Sequence, residues 1–223
     1  MRELIRRPYA DRRDAGRQLA AELSRRGGLE GALVLALPRG GVPVAHEVAA
    51  ALGADLDIVV VRKLGLPMQP EVAMGAIASI AGTVEVVRNE DVLSRLGPRA
   101  AAAMEEVRAR EEAELRRRER AYRGDRAALS LRGRVVVLVD DGLATGATMR
   151  AAAAAVQREE PARLVVAVPV ALSGSFEGLG GLADEVVSIW SPRELYAVGQ
   201  AYAIFDQTTD DEVHELLASH RHD

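Results

Sequence analysis

Cysteine is absent from this chain. That excludes disulfides, thiolate metal sites and cysteine nucleophiles together, and it is compatible with a reducing cytoplasm, the expected location. Lysine is nearly absent too: of the 29 lysines and arginines only one, Lys63, is a lysine. Either it survived a drift toward arginine by chance, or position 63 requires a compact ammonium that a planar guanidinium does not imitate. Long apolar runs are missing. The richest stop after about six residues where a bilayer span needs about 18, so a soluble protein without a membrane partner is expected. Residues 1–20 lack the unbroken apolar stretch of an export signal, and Arg2, Arg6, Arg7, Arg12, Arg13 and Arg17 are spread among acids there. A basic excess is lacking as well. The net charge of −4 gives no overall attraction to nucleic acid, so any site for a polyanion must be local.

What the sequence does have is an alternation of short β-branched runs and longer helical stretches. Residues 33–37, 57–61, 84–87, 134–139, 164–170 and 185–189 read as strands. Most are apolar at nearly every position, the mark of strands covered on both faces of a parallel sheet. Alanine-rich stretches at 42–52 and 148–159 fit crossover helices. The expected fold class is therefore α/β and doubly wound, a mainly parallel sheet flanked by helices. Ligands in such sheets bind beyond the C-terminal ends of the strands.

With 223 residues the chain suits a single domain, 1–223, which at that size buries roughly 70% of its unfolded surface. The core is expected at about 30–190 and a small hood from the terminal segments, its C-terminal part at about 191–223. Residues 98–126 read as a densely charged helical insertion, with Glu106 and Arg110, Glu112 and Arg116, and Glu114 and Arg118 at the supportive i, i+4 spacing. It is expected to be solvated, with an arm reaching a partner subunit as the alternative. Thr209 followed by Glu212 predicts a capped last helix running to about Ala218.

The chemistry concentrates in Arg134-Val-Val-Val-Leu-Val-Asp140-Asp141-Gly142-Leu143-Ala144-Thr145-Gly146-Ala147-Thr148. A buried strand ends in two carboxylates, runs through a turn and enters an alanine-rich helix. Backbone N–H groups in such a turn, added to the positive end of the helix, form an anion site, and the Thr145 and Thr148 hydroxyls donate further bonds. The acids cannot hold that anion, but as acceptors they suit neighbouring ribose hydroxyls. A Walker A loop is excluded because no lysine follows Gly146, and the dinucleotide fingerprint Gly-x-Gly-x-x-Gly is missing. An ordinary strand-turn-helix corner with solvated acids explains a lone Asp-Asp but not the whole string.

That string resembles the phosphoribosyl-pyrophosphate motif of type I phosphoribosyltransferases: hydrophobics, Asp-Asp, three residues, Thr-Gly-x-Thr. The resemblance implies that fold, with Asp140 and Asp141 on the ribose 2′- and 3′-hydroxyls and Ala144, Thr145, Gly146, Ala147 and Thr148 on the 5′-phosphate. Ala144 stands where several purine enzymes of the family place an acid, so a carboxylate does not assist the base from there. Pro38-Arg39-Gly40-Gly41, after a strand, is a turn whose glycines admit close backbone approach, and it resembles the family's pyrophosphate loop; a tight turn without a ligand is the alternative. Val61-Arg62-Lys63 is similar to the Val-Arg-Lys of orotate-type members, which implies that Lys63 touches the pyrophosphate. Residues 64–83 follow as a flap, with Glu71 a catalytic candidate or else a surface acid. Residues 192–205 resemble the base-recognition end of hypoxanthine-type members, which puts Tyr196 where an aromatic stacks on the base and Ala197 at its edge; core or dimer contact is the other reading of Tyr196. The implied activity is transfer of ribose 5-phosphate from 5-phosphoribosyl-1-pyrophosphate (PRPP) to a nucleobase-like acceptor, with Arg39, Lys63 and Mg²⁺ on the leaving group. No direct protein ligand for Mg²⁺ is expected, with Asp140 or Asp141 contributing through water. A homodimer is also implied. A regulatory or RNA-binding protein that senses the same ligand without turnover remains the alternative.

Overall fold

The computed structural model of the chain describes residues 8–80, 82–124 and 126–220, with backbone alone at Pro70, Glu71 and Arg99. Along it lie α1 (Arg12–Arg26), β1 (Leu33–Ala36), α2 (Gly41–Leu52), β2 (Asp55–Ile58), β3 (Val60–Leu66), β4 (Gln69–Ile80), β5 (Thr83–Arg88), α3 (Glu90–Leu96), α4 (Ala100–Arg123), β6 (Val135–Val139), α5 (Ala147–Arg158), β7 (Arg163–Val170), β8 (Glu185–Trp190) and α6 (Asp210–Ala218). Five strands form a sheet in the order β2-β1-β6-β7-β8, parallel throughout, with Leu33 opposite both Asp55 and Val136.

Side-chain alternation explains why the sheet needs cover on both sides. Val34, Ala36, Val137, Val139, Val165 and Ala167 enter one core with Leu19 and Leu23 of α1 and Val44 and Val48 of α2. Leu33, Leu35, Val136, Leu138, Val166 and Val168 enter the other with Ala152 and Val156 of α5. The crossover after β1 thus lies on one face and the one after β6 on the other. β1 and β6 are neighbours, so the chain parts between their C-terminal ends, the switch point at which open α/β sheets bind ligands.

The structure departs from the sequence-based expectation in the middle of the chain. Residues 57–61 do not form one strand: β2 ends at Ile58, and β3 leaves to join a separate antiparallel sheet, β3-β4-β5. Residues 84–87 are a strand, β5, but in this second sheet. The expected flap at 64–83 is mostly a β3–β4 hairpin, with Lys63 opposite Ala76. Glu71 lies on β4, and its side chain is outside the described residues.

The charged insertion is not solvated all round. Met104, Val107, Leu115 and Tyr122 on α4 are buried, while Arg116 pairs with Glu112 and Arg118 with Glu114 on its open side. Arg110 pairs with Glu111. At the end of α4, Arg123 lies 3.2 Å from Asp57 of β2, and Glu119 accepts from Ser79 of β4. Thr209 caps α6 by accepting from Glu212 N at 3.1 Å. The terminal segments meet over the sheet: Tyr9 and Tyr202 form a parallel bridge with ring centroids 5.4 Å apart. Among the described residues no helix is long and apolar enough to cross a membrane.

Candidate active site

Beyond β6 the chain is fixed before it turns. Leu143 N donates to the Val170 carbonyl at 2.9 Å and Leu172 N to the Leu143 carbonyl at 2.8 Å, tying the turn to the end of β7. Gly146 then takes φ 70° and opens α5 with no side-chain cap of its own, which leaves the first-turn amides facing outward. Thr145 Oγ1 accepts only a long contact, 3.4 Å, from Ala147 N. Arg150 braces the turn from within the helix, donating to the carbonyls of Thr145 at 2.9 Å and Glu177 at 3.1 Å. The result is a cavity of about 200 Å³ lined by Asp140, Gly142, Leu143, Ala144, Thr145, Gly146, Ala147, Thr148 and Met149. Amide donors, two hydroxyls and a helix N-terminus around a space of that size suit a tetrahedral oxyanion.

The two acids are held unequally. Asp140 Oδ1 accepts from Asp141 N at 2.8 Å, and Asp141 Oδ2 accepts from Arg12 Nε at 2.8 Å. Among the described residues the second oxygen of each carries no hydrogen bond, so two acceptors remain for a vicinal pair of hydroxyls. Burial, and after it the charge of Asp141, pushes the Asp140 carboxyl well above the usual range. Burial pushes Asp141 up as well, against the opposing pull of Arg12. Arg12 also donates to the Asp206 carbonyl at 2.6 Å, and its guanidinium carbon sits 3.8 Å from the Phe205 ring centroid. Tyr202 donates to the Asp141 carbonyl at 2.5 Å.

The Pro38–Gly41 turn lies directly against the diacid. Leu37 N donates to the Val139 carbonyl at 2.9 Å, and the Pro38–Arg39 peptide is cis. A Cβ on Gly40 would fall 2.1 Å from Asp141 Oδ2, and one on Gly41 would fall 2.9 Å from Asp140 Cα. Both positions therefore demand glycine for packing alone, whatever the turn binds. Arg39 points to α6, with Nη1 3.3 Å from Asp210 Oδ1, and lines a cavity of about 290 Å³ with residues 207–211. Lys63 is exposed and lines a cleft of about 760 Å³ between the antiparallel sheet and α5, together with Thr145, Ala147 and Arg150. The structure thus brings Lys63 to the turn of α5, while Arg39 opens into a different cavity.

Tyr196 is 89% exposed, so it is no part of the core. Ala197 N donates to Gln200 Oε1 at 3.1 Å, and its carbonyl accepts from Gln200 N at 3.1 Å. Both backbone groups of Ala197 are engaged in this local turn. Sequence reasoning missed Arg12 and Tyr202 as neighbours of the diacid, with Phe205 and Asp206 behind Arg12, because nothing local to either end signals contacts between Asp141 and residues 129 and 61 positions away.

Comparison with known proteins bears on the same residues. A family model described as a phosphoribosyl transferase domain matches residues 9–176. A Mycobacterium tuberculosis protein provisionally named phosphoribosyl transferase, in strains CDC 1551 / Oshkosh and ATCC 25618 / H37Rv, is 47% identical over 209 residues, covering 94% of this chain and 46% of its own length. The chain spans about half the length of these curated relatives. The crystal structure of TT1426 from Thermus thermophilus matches with a TM-score of 0.82 at 44% identity, over 95% of this chain and 98% of that one.

Proposed function

The chain belongs to the phosphoribosyl transferase domain family, and from that premise we propose that it transfers a ribosyl 5-phosphate group from PRPP to a ring nitrogen of a nucleobase-like acceptor. The observation that carries the reading is the cavity at the start of α5, where Asp140 stands beside the amides and hydroxyls of Ala144 to Thr148. A 5′-phosphate in that cavity sets its sugar against the free oxygens of Asp140 and Asp141.

Transfer breaks the bond between the anomeric carbon and the pyrophosphate oxygen, and forms one from that carbon to the acceptor nitrogen, whose proton leaves to solvent. Positive charge builds on the sugar and negative charge on the leaving group, so the useful side chains are those that bind the latter. Lys63 and the amides of Arg39 and Gly40 take that part, the Gly41 amide being engaged by the Leu37 carbonyl, and the Arg39 side chain joins them on turning from Asp210. Among the described residues no three His, Asp or Glu side chains gather as a metal site. Magnesium, which neutralises pyrophosphate charge, would be carried by the substrate's own oxygens and water, with Asp140 or Asp141 reaching it through water. Tyr196, open at the hood, is available to stack on the acceptor.

The test is pyrophosphate release from PRPP and Mg²⁺ in the presence of a panel of purine, pyrimidine and related heterocycles. Release dependent on one of them is expected. Tight binding of PRPP with no release for any acceptor would end the transferase reading and favour a ligand sensor on the same fold.

A further inference from the structure

A carboxylate that is to meet one sugar hydroxyl must present a fixed oxygen, yet rotation about χ2 of an aspartate is broad and exchanges its two oxygens. Asp140 is held by the backbone amide of its own neighbour. Asp141 is held from far away, by the Nε of Arg12 on α1. Arg12 is in turn immobilised on two other sides, by the Asp206 carbonyl and by the face of Phe205, which stacks on Tyr202 at 4.9 Å. Tyr202 itself donates to the carbonyl of Asp141. Only 13% of the Arg12 side chain and 15% of that of Asp141 is exposed, so this pair is not of the solvent-screened kind that contributes little. A planar guanidinium stacked on a ring while donating along its edge fixes direction as well as charge.

We propose that Arg12 is a positioning residue, which locks one oxygen of Asp141 so that the other faces a sugar hydroxyl, making α1 and the hood a wall of the ribose site. This rests on the phosphoribosyl reading above. A staple that merely holds α1 to the hood would support every ligand equally, whereas a positioning role supports only ligands that carry the hydroxyls.

Two probes separate the cases: ribose 5-phosphate, and methyl phosphate, a monoester without a sugar. Their dissociation constants are measured by titration for the full chain, for Arg12→Ala and Arg12→Lys, and for Arg12→Ala in an Asp141→Ala background. Arg12→Ala is expected to weaken ribose 5-phosphate roughly ten- to a hundredfold, the worth of a hydrogen bond to a charged group, and to leave methyl phosphate within about twofold. Arg12→Lys, which keeps the charge and the fold, is expected to recover part of the loss, and Arg12→Ala to add nothing once Asp141 is gone. Equal loss for both probes, or an undiminished effect without Asp141, overturns the proposal. Methyl phosphate bound as well as ribose 5-phosphate by the unaltered chain also overturns it while the anion cavity stands. Binding of neither probe refutes the cavity itself, and the proposed function with it.

Discussion

At Gly146 the backbone takes φ 70°, and a Cβ there would lie 2.3 Å from the carbonyl oxygen of Ser175. The left-handed turn and the close approach act at one atom, so Gly146→Ala is expected to destabilise the fold by at least about 1–3 kcal/mol, read as a lower urea midpoint at unchanged slope. Asp140→Ala, by contrast, keeps the left-handed turn, and it removes both the partner of the Asp141 amide and an acceptor for the ligand. It should weaken ribose 5-phosphate by about 1–3 kcal/mol, since a sugar hydroxyl is then buried unmatched, as titration calorimetry would show. At this scale the sequence is legible wherever the chemistry is contiguous. Asp140, Asp141 and Thr145 to Thr148 share one turn, and that turn forms the cavity. It is illegible where a partner comes from elsewhere: Arg12 looked like one of many arginines, and Gly40 and Gly41 looked like ligand-approach glycines when the diacid alone already requires them.

Among the elements, β1, β6 and β7 announce themselves because both faces of each are buried and, apart from Arg163 at the start of β7, every position is apolar. β4 does not, since Ala73, Gly75, Ala76, Ala78 and Ser79 dilute the β-branched signature of Val72, Ile77 and Ile80, although Met74 and Ile77 are fully buried. α1 has local signals of its own, an Asp11 cap accepting from Asp14 N and apolar Ala15, Leu19 and Leu23 at helical spacing. In α4 the dense charge obscured a buried stripe. Leu115 is 0% exposed, so Leu115→Ala is expected to cost about 2–5 kcal/mol. Arg116→Ala, on the open side of the same helix, should change stability by less than about 0.5 kcal/mol. Denaturation curves of the two variants side by side check the contrast.

For the whole molecule, the switch point between β1 and β6 decides where a ligand couples to stability. A sugar phosphate seated there touches both crossovers and, through Asp141, the hood, and a ligand that binds only the folded state stabilises it by mass action. At a hundredfold excess over its dissociation constant the gain is about 2.7 kcal/mol, and for a chain of this size each kcal/mol raises the midpoint by about 2–4 °C. A melting shift of roughly 5–10 °C with ribose 5-phosphate is therefore expected, and its absence at saturating concentration would count against the site. The bridge between Tyr9 and Tyr202 bears on how the protein is made. A nascent chain that has emerged only as far as α5 already holds the diacid and the anion turn, but the aromatic segment that clamps Arg12 has yet to leave the ribosome. The proposed sugar pocket is thus completed only once residues 202–206 have emerged and folded back on α1, and not together with the diacid.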